Sequence, residues 1–142
     1  MNTILNMQGI SKSFGGVRAL VDVHLQVNRG EIHALLGENG AGKSTAIRHM
    51  TGIYRPDSGT VTVGGRPVYE NTAVKEKLGY IPDDIFYFPS ANLEDMRKFY
   101  KGMYPKFDDK LFAQLCEAFR LPRKGQIRRF SKGMQKQAAF QL

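Results

Sequence analysis

The sequence predicts an α/β fold: an antiparallel β subdomain, a strand–loop–helix core, then a helical subdomain. Three observations predict it. Residues 3–27 alternate apolar and polar side chains on both sides of Gly15-Gly16. The short apolar run Ala34-Leu35-Leu36 enters a glycine-rich stretch at residues 37–45, and a helical pattern follows. Beyond residue 84 the apolar side chains switch to spacings of three and four.

Residues 3–14 mix β-branched and polar side chains and read as a strand that turns at Gly15-Gly16. Residues 19–27 answer it with Leu20, Val21, Val23, Leu25 and Val27, so the pair reads as an antiparallel hairpin closed by Asn28-Arg29-Gly30. Residues 31–36 read as a short strand covered on both faces, because its apolar residues are consecutive. A helix is expected from the glycine-rich stretch to about residue 51, closed by Gly52. Residues 55–59 form a turn of Pro, Asp, Ser and Gly, and residues 60–63 pair with Pro67-Val68 across Gly64-Gly65. Residues 77–82 read as a strand ended by proline.

The helical part follows. Leu93, Met96, Phe99, Tyr100 and Met103 share one helix face, and Leu111, Phe112, Leu115, Cys116 and Phe119 share another, capped by Asp108 or Asp109. A last helix starts after Ser131 with Met134, Ala138 and Leu142 on one side. The stripes, Leu111 included, are expected to be core, and Cys116 to be a buried small hydrophobe. His24, His33 and His49 show no metal-ligand spacing and are assigned no chemistry.

Composition narrows the class. With 142 residues, 42% hydrophobic and 24% charged, the chain suits one domain with a real core. Its apolar runs are too short to span a bilayer. A single cysteine and no leader-like start fit a reducing cytosol rather than secretion. The formal net charge is +8, but residues 120–142 hold seven basic side chains and no acidic one, so the excess belongs to that stretch. A charge confined in this way is weak support for a nucleic-acid partner.

Gly37-Glu38-Asn39-Gly40-Ala41-Gly42-Lys43-Ser44-Thr45 matches G-x-x-x-x-G-K-[ST] between an expected strand and an expected helix. Glycines 37, 40 and 42 permit backbone angles and approaches that a Cβ blocks. The loop amides then face inward as an anion cradle, reinforced by the positive end of the helix. Lys43 brings a full charge to β- and γ-phosphates, and the Ser44 hydroxyl suits Mg²⁺. The nucleotide-binding residues are therefore Gly37 to Thr45 in unbroken order. Guanine-reading motifs are absent from the sequence downstream.

Together with Phe130-Ser131-Lys132-Gly133-Met134-Gln135, this loop makes the chain resemble the nucleotide-binding domain of ATP-binding cassette (ABC) transporters from about residue 3 onward. The second segment is similar to the family's Leu-Ser-Gly-Gly-Gln signature, and its Ser-Lys-Gly-Met variant to that of bacterial exporter-type cassettes with a separate membrane chain. The resemblance implies a P-loop NTPase (ABC ATPase) core with an antiparallel β subdomain and a partial α-helical subdomain, truncated before the Walker B strand. It divides the chain into a β subdomain and P-loop core at about 1–83, a helical subdomain at about 84–130, and the start of the signature helix at 131–142.

The resemblance also implies residue roles. Phe14 stands at the aromatic position that stacks on adenine, with Tyr54 and Tyr69 as other available rings. Ser131, Lys132 and Gly133 stand where the family touches the ATP of a second copy; Ser131 also reads as a plain helix cap. Lys132 replaces a glycine and adds charge, while Met134 replaces a glutamine and removes a polar contact. Asp83, in Tyr80-Ile81-Pro82-Asp83-Asp84, takes the place of a glutamine that reaches Mg²⁺ or the attacking water. As a carboxylate it suits the metal but donates no hydrogen bond. Phe86, Tyr87 and Phe88 either line a docking cleft or pack on the Leu93 and Phe99 face.

By the same resemblance the cofactors are ATP and Mg²⁺. The function is that of an energy-coupling ATPase subunit, peripheral on the inner face of the cell membrane. Its partners are a second ATP-binding subunit, head to tail, and a transmembrane permease. The family's Asp-Glu pair and switch histidine do not occur within these residues, so no catalytic residue is assigned. The chain is read as the early part of a cassette that by itself binds ATP weakly and turns it over negligibly. Two alternatives stand beside this: an ABC-superfamily ATPase acting on nucleic acid or the ribosome, and a nucleotide-binding regulatory module.

Overall fold

A computed structural model describes residues 2–142. The chain forms two units, one ending at Tyr80 and the other beginning at Ile81. The first holds β1 (Thr3–Phe14), β2 (Val17–Asn28), α1 (Lys43–Met50), β3 (Ser58–Val63), β4 (Arg66–Pro67) and the single-turn α2 (Thr72–Lys75). The four strands form one antiparallel sheet in the order β2-β1-β3-β4.

The sheet's inner face follows from alternation with several register shifts, one of which lies between Met7 and Ile10. Met7 pairs with Leu25 and Ile10 with Val23, so β1 gains one residue on β2 between them. Gly9 sits there at a φ of +62°, a conformation glycine adopts without a Cβ penalty. The bulge lets Met7 and Ile10 face the same core, where Leu20, Ala46, Val61, Val68 and Val74 join them. Ala46 is the buried apolar residue that α1 adds to this core.

Two expected strands are absent. Residues 31–36 are not a strand, and Ile32 and Leu36 are 99% and 88% exposed. A strand exists only by pairing, and among the described residues none pairs with this run. The Glu31 carboxylate instead folds back on the preceding turn, taking the Asn28 N–H at 2.7 Å and the Asn28 side-chain amide at 3.0 Å. These bonds and His33 hold its pKa down to about 2. Residues 77–82 also fail to form a strand, because the Lys77 and Leu78 amides bond back to Val74 and Lys75 as an extension of α2. The other expected elements form within a few residues of their expected bounds, and α2 is not among those expected.

The second unit holds α3 (Leu93–Met103), α4 (Asp109–Phe119), a 3-10 turn at Ile127–Arg129, and α5 (Lys132–Gln141). Asn92 and Asp95 form a reciprocal capping box on α3, and Asp108 caps α4 through the Lys110 and Leu111 amides. Arg97 ties α3 to α4 by bonding both Glu94 and Asp109, and Lys101 also reaches Asp109. The core gathers Tyr87, Leu93, Met96, Phe112, Cys116, Ile127 and Ala138. Leu111 departs from its expected place: it lies on the solvent side of α4, half exposed. Cys116 is buried as expected, its thiol pushed up by burial. Tyr87 turns inward and donates to the Gln135 carbonyl at 2.6 Å, while Phe86 stays exposed and touches Phe88, which meets Phe99 edge-on. Among the described residues no helix is long and apolar enough to cross a membrane.

Candidate functional site

The glycine-rich loop at residues 37–45 ends in α1, whose first turn begins at Lys43. A helix start leaves its first amides without intrahelical acceptors, and here no side chain caps them. The cap residue is Gly42, at a φ of +78°, and no acidic residue lies in the first turn. The helix end therefore keeps its positive field, concentrated on Lys43, Ser44 and Thr45. The Lys43 side chain folds back over the loop, donating to the Gly37 carbonyl at 2.5 Å and the Glu38 carbonyl at 2.6 Å. A Cβ on Gly37 would stand 3.2 Å from the Ala41 Cβ and 3.8 Å from the Lys43 ammonium, so the loop folds tightly on itself at this glycine. An uncapped helix start with an ammonium beside it suits a polyphosphate.

Phe14 lies in the same unit as the loop. Phe14, at the end of β1, is 44% exposed, and the Tyr54 ring meets it edge-on at 5.5 Å. The Lys12 ammonium lies 5.5 Å from the same ring. Tyr69, also considered for stacking, is 37% exposed on the short stretch after β4.

The other expected site residues fall in the second unit. Ser131 caps α5, its hydroxyl accepting the Met134 N–H at 3.2 Å, and Lys132 and Gly133 are exposed in the first turn. Asp83 is exposed and paired with Lys136 at 2.9 Å, a bond that holds its carboxyl below the usual range. Ser44 belongs to the first unit and Asp83 to the second. Among the described residues no group of three or more His, Cys, Asp and Glu stands ready to hold a metal. Sequence reasoning missed Lys136 as the partner of Asp83 and Asp57 as the partner of Lys12 and Ser13. Both pairs join positions far apart in the chain, and no local pattern announces them.

The G-x-x-x-x-G-K-[ST] pattern at residues 37–44, running into the uncapped start of a helix, is the sequence pattern of the P-loop class, although the strand expected before it is not formed. The ABC transporter family model matches residues 20–141, and the chain belongs to that family. It is similar to the ribose import ATP-binding protein RbsA 2 of Burkholderia ambifaria, 60% identical over 65 residues, which are 46% of this chain and 13% of that protein. It is also similar to the galactose/methyl galactoside import ATP-binding protein MglA of Clostridium tetani, 42% identical over 107 residues, 73% of this chain and 21% of that one. These named relatives are importers, whereas the signature variant resembles exporter-type cassettes. The chain spans about a fifth or less of the length of such relatives.

A solved ATP-binding subunit of an ABC transporter superposes with a TM-score of 0.81 at 28% identity, over 97% of this chain and 60% of the other. An ATP-binding protein from Pyrococcus furiosus superposes with a TM-score of 0.78 at 22% identity, over 96% and 68%, and supports the fold alone.

Proposed function

We propose that this chain carries the ATP-binding loop of the energy-coupling subunit of an ABC transporter that imports a sugar. The observation that carries the reading is the Lys43 ammonium folded over the Gly37 and Glu38 carbonyls above the uncapped start of α1. The relatives' names supply the sugar.

In this reading the amides of Glu38 to Thr45 hold the phosphate chain, and Lys43 exchanges its carbonyl bonds for β- and γ-phosphate oxygens. The Ser44 hydroxyl is the protein's oxygen for Mg²⁺, which, when bound, neutralises charge on the phosphates. Asp83, paired here with Lys136, would be a carboxylate oxygen donor for Mg²⁺. Phe14 stacks on the adenine. Ser131, Lys132 and Gly133 face the nucleotide of a second subunit, where the Lys132 ammonium adds to the helix-end field. The helical residues from about 84 to 130 meet a membrane permease, which places the protein on the inner face of the membrane. Residues 1–83, 84–130 and 131–142 are then successive parts of one cassette.

Hydrolysis is proposed for the longer protein rather than for these residues alone. Phosphate release under Mg-ATP tests this. The 142-residue chain is expected to release phosphate negligibly, and a longer cassette carrying it to release phosphate in a Lys43-dependent way. Robust turnover by the 142 residues, abolished by Lys43→Ala, would defeat the assignment of catalysis elsewhere.

A further inference from the structure

Phe14 is held by a short segment that the phosphate loop itself anchors. Its ring meets Tyr54 edge-on at 5.5 Å and an interplanar angle of 61°. An edge contact fixes a ring's plane without burying it, and Phe14 remains 44% exposed. Tyr54 is held in turn. The His49 ring meets it at 5.8 Å and 72°, and the Arg48 guanidinium lies 5.5 Å from it. His49 is fully buried in α1, and its Nδ1 donates to the Thr45 carbonyl at 2.7 Å. Thr45 is the last residue of the loop motif, so one chain of contacts runs from phosphate loop to exposed ring.

The backbone under Phe14 is fixed from the same segment. Asp57 accepts the Lys12 ammonium at 2.6 Å and the Ser13 N–H at 2.8 Å, and its own N–H donates to the Ser11 carbonyl at 2.9 Å. The three residues before Phe14 are thus bound to Asp57 while the ring itself rests on Tyr54. A residue that merely filled a corner of the sheet would be buried. This ring is supported from behind and left open.

We propose that Tyr54 and Asp57 are positioning residues for base recognition, setting the orientation of Phe14 from helix α1 so that the purine and its phosphates are met by one rigid frame. The proposal rests on the reading of Phe14 as the ring that stacks on adenine. It assigns the 54–57 turn a selective role: it governs the adenosine part of the affinity and leaves the phosphate part alone.

Calorimetric titration of the 142-residue chain with ATP and with inorganic tripolyphosphate, at one ionic strength, separates the two parts. Tyr54→Ala is expected to weaken ATP about two- to tenfold and to change tripolyphosphate by less than about twofold. Tyr54→Phe retains the ring and the affinity. The double variant Phe14→Ala/Tyr54→Ala is expected to lose no more than Phe14→Ala alone. Asp57→Asn gives the same selective loss, and it decides the matter where Tyr54→Ala loses its circular dichroism signal. Equal losses on both ligands, no loss on ATP, or additive losses in the double variant would overturn the proposal. A wild-type chain that holds tripolyphosphate and ATP equally would overturn the stacking role of Phe14 and this proposal with it. One that holds neither would overturn the nucleotide-binding function itself, and both readings fall.

Discussion

A Cβ on Gly42 would stand 2.5 Å from the carbonyl oxygen of Ala19 in β2, and 2.9 Å from the Leu20 side chain. The phosphate loop is thus seated against the hairpin at the point where α1 begins. Gly42 also has a φ of +78°, so alanine there meets both a clash and an unfavourable conformation. Gly42→Ala is expected to destabilise the first unit by more than ~1 kcal/mol. Gly40→Ala, with a φ of +85° but nothing within 4 Å, should cost about 1 kcal/mol from conformation alone. Urea unfolding followed by circular dichroism compares them, and equal effects would remove the loop from the hairpin.

Ser131 caps α5 whatever else it does, because its hydroxyl takes the Met134 amide. Ser131→Ala should weaken the start of α5 by about 1 kcal/mol, and Ser131→Asp should retain the cap. Hydrogen exchange of the α5 amides measures it. Unchanged protection in the alanine variant would contradict the cap.

Burial pushes the Tyr87 phenol up to about 12, with Tyr100 adding to the effect. An unfolded tyrosine ionises near 10. The folded value is the higher one, so the neutral phenol's contribution is intact below about pH 10 and is lost as pH rises from there toward 12. Alkaline unfolding of the second unit should therefore begin in that window. Tyr87→Phe, which lacks the ionisable group, should lose that dependence while giving up ~1 kcal/mol for the bond to Gln135. Circular dichroism between pH 8 and 12 reads both, and identical pH profiles would contradict the assignment.

Ile32 and Leu36 expose apolar side chains along a run whose backbone pairs with no strand among the described residues. Such a run promotes association between chains. Ile32→Lys should reduce concentration-dependent association in sedimentation velocity while moving stability by less than about 0.5 kcal/mol. No change in association would show that this run is not the contact.

Local signals wrote much of this structure into the sequence. The hairpin at Gly15-Gly16, the caps at Asp108 and Ser131, and the helix stripes through Leu93 and Phe112 follow from period and capping chemistry, and the structure reproduces them except at Phe99, Met103 and Leu111, which lie exposed. The run Ala34-Leu35-Leu36 misled because apolar succession marks a segment suited to a covered strand but supplies no partner for it. Leu111 misled because a stripe's edge is set by how the neighbouring helix lies, which spacing alone does not give. The loop at residues 37–45 was legible as a motif, yet no local pattern announces the fold of Lys43 onto Gly37 and Glu38. The support of Phe14 by Tyr54 and Asp57 was not legible, since it depends on β1 meeting a turn some forty residues later.

In the proposed function the amides of residues 37–45 and the Lys43 ammonium grip a polyphosphate. Equilibrium titration of the chain with ATP, beside its Lys43→Ala variant, tests it most directly. Saturable binding is expected, weakened about tenfold or more when the ammonium is removed. Absence of binding, or equal affinity in the two proteins, would contradict it.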